Sequence, residues 1–185
     1  MKATSLILER LAALIQQSLR EDAARHGLLP IHLQVLQYLR QCNQYSDLPI
    51  AIAEYFGITR GTVSQTLSVL ERKGLLRKEQ DPRHGKRIHL KLTPQGESVL
   101  QDSWAERIET ALDAQSPNPA DTRRLLHGLL QSLQRLNQQR AFGICQECIH
   151  HLRESGKPPR CGLTGETLLN EQVEKICREW SIATH

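Results

Sequence analysis

Two groups of residues in this 185-residue chain have the types and spacing to do chemistry. The first is a set of four cysteines. Cys145 and Cys148 form a C-x-x-C, Cys161 follows after twelve intervening residues, and Cys177 after fifteen more. Four thiolates at such intervals are a metal-binding set, with one metal centre expected per chain. His150 and His151 could also ligate, but four cysteines already fill a zinc or a 4Fe–4S site, which leaves the histidines an outer or surface role. A dithiol catalyst would begin a helix inside a βαβ framework, and no such framework is evident. The second group lies between Thr59 and Arg87, where eight basic residues (Arg60, Arg72, Lys73, Arg77, Lys78, Arg83, Lys86, Arg87) face three acidic ones (Glu71, Glu79, Asp81). That segment carries a formal +5 while the whole chain carries +4. Positive charge gathered in one place is the footprint of a phosphate-binding surface.

Composition limits what else the chain can be. Its length suffices for one core plus a small appendage. Hydrophobic residues make up 39%, and no run approaches the ~20 apolar residues of a membrane span. The N-terminal run is interrupted by Glu9 and Arg10 and has helical spacing, unlike a signal peptide, so a cytoplasmic location is expected. In that compartment the cysteines point to metal or redox chemistry rather than a disulfide scaffold. Two Phe, three Tyr and two Trp argue against a stacking platform for single strands. No Ser–His–Asp set or carboxylate pair is recognisable, and His127 reads as a packing or surface residue, so no enzymatic activity is expected.

The elements that must position these groups follow from periodicity. Leu6, Ile7, Leu11, Leu14, Ile15 and Leu19 give a first amphipathic helix ended by Gly27 and Pro30. A second helix runs through Ile31, Val35, Leu36 and Leu39, and carries Cys42 as a small buried hydrophobe. Residues 43–47 form a loop, and a third helix from Leu48 stops at Gly57. Thr59 caps a fourth helix that buries Val63, Leu67 and Leu70 and ends at Gly74. Two strands, LLRKEQ and IHLKLT, flank the tip DPRHGKR. Thr93-Pro94 then starts one long helix through Val99, Trp104, Ile108 and Leu112. After SPNPAD, Leu126, Leu129, Leu130, Leu133 and Leu136 form a leucine stripe ending near Arg140. The remainder holds a helix end at Gly143 and one short helix from about Leu168 to Trp180.

Helix, loop, polar-faced helix and β-hairpin make a winged helix-turn-helix, in a chain that is mainly α with a small β-hairpin wing. A major groove admits one α-helix, whose N-terminal side chains reach the base edges. Arg60, Thr62, Ser64 and Gln65 offer guanidinium, hydroxyl and amide groups for that task, and Arg72 joins them. The tip residues Arg83, His84, Lys86 and Arg87 can straddle a phosphate or enter the minor groove.

Through TVSQTLSVLERKGLL, DPRHGKR and IHLKLTPQGE, in register, residues 5 to 140 resemble the MarR family of bacterial transcriptional regulators. The resemblance implies a homodimer, with helices about 5–25 and 94–140 packing together around a reading head at about 31–93. It also implies Thr62, Ser64 and Gln65 in the major groove of pseudo-palindromic double-stranded DNA, and a small-molecule effector in a crevice beside the dimer helices. Wings of the family usually carry an Asp two residues before an Arg; here His84 and Lys86 stand there. Residues 1–140 are thus expected to be the MarR-like domain and 141–185 a four-cysteine metal-binding extension. One knuckle followed by two lone cysteines is similar to small iron–sulfur domains of the high-potential type, which favours a 4Fe–4S cluster over Zn2+. Two functions remain open. The first is a dimeric DNA-binding regulator whose Cys145, Cys148, Cys161 and Cys177 site senses redox or metal state or staples the tail. The second is an iron–sulfur or thiol redox protein that uses its winged domain for protein interaction.

Overall fold

In a computed structural model, which describes residues 3–82 and 85–182, helices dominate. The chain runs α1 (Ala3–Arg25), α2 (Pro30–Gln41), α3 (Pro49–Phe56), α4 (Arg60–Arg72), β1 (Leu76–Gln80), β2 (Ile88–Leu92), α5 (Pro94–Val99), α6 (Trp104–Gln115) and α7 (Pro119–Leu136). A tail follows with β3 (Gly143–Ile144), β4 (His151–Leu152), β5 (Arg160–Cys161), α8 (Asn170–Val173) and β6 (Ile176–Cys177). The architecture through α7 is a winged helix-turn-helix.

The reading head is built by local signals that agree with one another. Proline at the first turn starts α2 and α3, and Gly57 closes α3 in the left-handed conformation. Thr59 Oγ1 accepts the Thr62 N–H at 3.1 Å, capping α4. Val63, Leu67 and Leu70 then recur at helical spacing and are almost fully buried. They meet Leu33, Val35, Leu36 and Ile52 in one core, closed from the hairpin side by Leu76 and Leu90. Burying each leucine contributes about 1.5–3 kcal/mol. Strands β1 and β2 pair antiparallel from Leu76↔Leu92 to Gln80↔Ile88.

The junction T-P-Q-G-E has a steric explanation. Thr93 Oγ1 accepts the Gly96 N–H at 3.1 Å and donates to the Gly74 carbonyl at 2.6 Å. That geometry brings α5 down onto the end of the α4–β1 turn. A Cβ at residue 96 would strike the Leu75 carbonyl, so only glycine fits.

Three expectations are corrected. The single helix from Pro94 is two helices: α5 stops at Val99, Leu100 is fully buried, and Asp102 takes φ 50 before α6 begins at Trp104. The break is made from a distance. Buried Asp22 of α1 accepts the Trp104 N–H at 2.6 Å and pairs with Arg107 at 3.0 Å, so a carboxylate on another helix caps α6. In the tail, the helix expected over about 168–180 is only α8, because Ile176–Cys177 leaves helical geometry to pair with Gly143–Ile144. Gly143 accordingly opens a strand, and the preceding helix ends at Leu136. A Cβ at residue 143 would collide with the Trp180 indole, which lies against the bare backbone.

Neither α6 nor α7 buries a residue within the chain. The stripe from Leu126 to Leu136 is exposed by 37–78%, and Leu6, Ile7, Leu11 and Leu14 of α1 by 43–59%. Two apolar helix faces therefore stand uncovered.

Candidate functional site

Among the predicted phosphate- and base-contacting residues, Arg60, Thr62, Ser64, Gln65, Arg72, Lys86 and Arg87 are all exposed. Arg83 and His84 lie outside the described residues. The basic residues fall into two classes. Arg77 pairs with Glu79 and Lys78 with Glu71, each at 2.6 Å, so the strand-borne charges are neutralised at home. Among the described residues no carboxylate pairs with Arg60, Arg72, Lys86 or Arg87. The uncommitted charge thus sits on α4 and at the wing tip, where a phosphate backbone would compete with water alone. Thr62 Oγ1 shares a hydrogen bond with Thr59 Oγ1 at 2.9 Å, which orients that hydroxyl on the exposed first turn.

The base of the wing is braced by residues whose role the sequence did not signal. The Leu90 N–H donates to the Asp47 carbonyl at 2.8 Å, and the Asp47 carboxylate contacts Lys91 Nζ and His89 Nδ1, each at 2.6 Å. His89 Nε2 lies 3.3 Å from Asp81 Oδ2. Burial alone would lower the His89 pKa, but hydrogen bonds and charge from Asp47, with Asp81 behind it, raise it above the ordinary imidazole value. Asp47 had been visible only as the end of a loop.

The four cysteines come together. Cys145, Cys148, Cys161 and Cys177 line one cavity of about 20 Å³, with His150, His151 and Tyr45 around it. All four are free thiols, as is Cys42, whose thiol burial pushes up to about 12. Burial also raises Cys145 to about 12, with the neighbouring thiols adding to the shift. Burial likewise raises Cys177, while the Asn43 side chain and a backbone N–H partly offset it. The Ser181 N–H donates to Cys148 Sγ at 3.4 Å. Such N–H···S contacts are the usual outer support of metal-bound thiolates. Among the described residues, no group of three or more His, Cys, Asp or Glu is arranged to hold a metal ion as it stands. What the four sulfurs share is the cavity, and His151 Nε2 is buried beside it without a hydrogen-bond partner among the described residues.

On its α3 and α7 side the tail is seated on the rest of the molecule by three sets of contacts. His127 of α7 lies against Trp180 with ring centroids 5.6 Å apart and pairs with Glu147 at 3.2 Å. Glu54 of α3 takes Arg178 at 3.0 Å and Arg140 at 3.4 Å. Phe142 meets Tyr55 edge-on at 5.1 Å. Between α6, α7 and this tail lies a cleft of about 890 Å³, lined by Tyr55, Leu112, Arg123, Leu126 and Phe142 among others.

Residues 26–87 match the family model described as MarR family. The uncharacterized HTH-type transcriptional regulator YkoM of Bacillus subtilis (strain 168) is 30% identical over 106 residues, which is 54% of this chain and 66% of that protein's length. Among solved structures, S. aureus MepR in DNA-binding conformation aligns at TM-score 0.62 and 22% identity, over 73% of this chain and 99% of MepR. CouR from Rhodococcus jostii RHA1 bound to p-coumaroyl-CoA aligns at TM-score 0.55 and 18% identity, over 71% and 92%. At these identities the structures speak for the fold. The sequence likeness to the MarR family thus lies in residues 26–87, and the solved neighbours share the winged-helix fold. Among the described residues no helix is long and apolar enough to cross a membrane.

Proposed function

We propose that this chain is a cytoplasmic, non-enzymatic transcriptional regulator that binds pseudo-palindromic duplex DNA as a homodimer. The observation that carries the reading is the division of basic charge: neutralised along β1, uncommitted on α4 and the wing tip. Arg60, Thr62, Ser64 and Gln65 face the major groove, Arg72 and the wing residues Arg83, His84, Lys86 and Arg87 hold phosphates, and the half-sites lie about one helical turn apart. The uncovered leucine faces of α1 and α7 support the dimer, since an amphipathic helix takes most of its stability from packing its apolar face. The name under which MepR was solved, in DNA-binding conformation, fits this reading. The cleft beside α6 and α7 is the place for a small-molecule effector, as CouR with p-coumaroyl-CoA suggests.

The cysteine centre modulates that binding. Cys145, Cys148, Cys161 and Cys177 line one water-sized cavity, which suits a single metal centre, and the spacing of one C-x-x-C with two lone cysteines favours a 4Fe–4S cluster over zinc. A bound cluster supplies one-electron redox chemistry; the chain's part is to bury the thiolates and direct N–H groups at Cys148 and Cys177. An electrophoretic shift assay on duplex DNA from the chain's own upstream region tests the whole reading. Affinity should fall steeply with salt, and Arg72→Ala, which removes one phosphate contact from each of two heads, should lower the slope of log K against log salt by about 2. A monomer that ignores duplex at every salt concentration overturns it. Elemental analysis with an absorption spectrum of the purified protein decides iron against zinc.

A further inference from the structure

The loop of residues 42–47, between α2 and α3, touches the tail at one end and the wing at the other. Toward the tail, the Asn43 N–H donates to the Ile176 carbonyl at 2.9 Å, and the Arg178 N–H donates to Ser46 Oγ at 2.9 Å. The Gln44 N–H donates to Gln172 Oε1 at 2.9 Å, and Tyr45 Oη to Glu166 Oε2 at 2.6 Å. The Asn43 side chain lies against Cys177 itself. Toward the wing, Asp47 holds Leu90, Lys91 and His89 as described above. The interior of the loop leaves little slack. Asn43, Ser46 and Asp47 are 1%, 0% and 4% exposed. Ser46 Oγ donates to Asn43 Oδ1 at 2.9 Å, and Tyr38 Oη donates to the Ser46 carbonyl at 2.9 Å. In a buried polar network of this kind, one partner cannot withdraw without stranding another, so displacement at one end is passed on.

We propose that this loop is the coupling element through which the state of the four-cysteine centre sets the position of the wing. The inference rests on the metal-centre reading for what disturbs the tail, while the link itself requires only that the tail shift. When β6 leaves its place beside Cys42, Asn43 and Ser46 follow it. Asp47 then loosens its hold on β2, and the basic tip loses the base from which it is aimed.

Hydrogen exchange on the full chain as purified, with whatever its cysteine centre holds and without DNA, tests the link. Two substitutions loosen the tail by unrelated routes: Cys177→Ala removes a sulfur from the cavity, and Gly143→Val drives a side chain into Trp180. Both should speed exchange over residues 143–180 and also over 76–92, by roughly tenfold or more, while residues 3–25 keep their protection. Asp47→Asn should free the wing and leave the tail protected, and loosening the tail in that background should add nothing further to the wing. A tail opened by both substitutions beside an unchanged wing overturns the proposal. If Gly143→Val moves tail and wing while Cys177→Ala moves neither, the coupling stands and the cysteine-centre reading falls.

Discussion

The reading head and the cysteine tail solve the same problem with opposite means. The head gathers nineteen buried residues into one cluster, almost all aliphatic, drawn from helices far apart in sequence. The tail's own cluster has five, and two of those are Cys145 and Cys177. Leu168, Val173 and Trp180 are the whole apolar remainder. Its strands are two residues each, too short to persist without a staple. The head is thus held by area removed from water, and, on the proposed metal-centre reading, the tail by what its sulfurs bind and what it leans on. On that reading, stability without ligand belongs to one region and conditional order to the other.

That contrast is sharpest where the tail is undone. Removing a ligand by Cys161→Ala, or stripping the centre with chelator, should abolish metal binding and unfold residues 143–180, because ligation contributes on the order of 10 kcal/mol to a small metal domain. Elemental analysis and proteolysis check this, with the head's melting transition little changed; a tail that stays protease-resistant without metal breaks the comparison. The converse substitution is Leu36→Ala. It should cost the head about 2–5 kcal/mol, read as a lowered denaturation midpoint, while the metal content of the native protein is unaffected. A smaller effect is expected from Thr93→Val, which removes the α5 cap. About 1 kcal/mol should be lost from the head alone, measurable in urea.

The smallest effect is one of pH. The folded-state pKa of His89 is raised, so the stabilisation from its bridge to Asp47 and Asp81 is fully present below the unfolded value of 6.5 and is lost as pH rises through the elevated one. Wing amides should therefore exchange faster, relative to those of α2, from neutral into mildly alkaline pH than intrinsic chemistry predicts. His89→Asn should remove that dependence.

Much of the head was legible because its signals are local. The cap at Thr59, the spacing of Val63, Leu67 and Leu70, and the strand run IHLKLT each lie within a few residues; cap, helix and strand are found, though Leu90 is the one residue of Ile88–Leu92 that is fully buried. The break before α6 was not legible, since the carboxylate that makes it belongs to Asp22, more than eighty positions upstream. The tail's final segment misled for a similar reason: its strand exists only because residues 143–144 offer an edge. The cysteines could be recognised as a set from spacing alone. Nothing in the spacing announced that the set would be seated on Asn43 and Ser46, or that Asp47 would reach from there to the hairpin.

The bare leucine face of α7 has one more consequence. On the homodimer reading, a helix that leaves its leucine face open at home takes its order from mass action, so its melting should move with total protein concentration, rising as copies become abundant and falling on dilution. On the regulatory reading, a cell that makes little of this chain would hold loose helices and unpaired heads. Competence to bind would then switch on over a narrow range of expression, before any ligand or oxidant is involved.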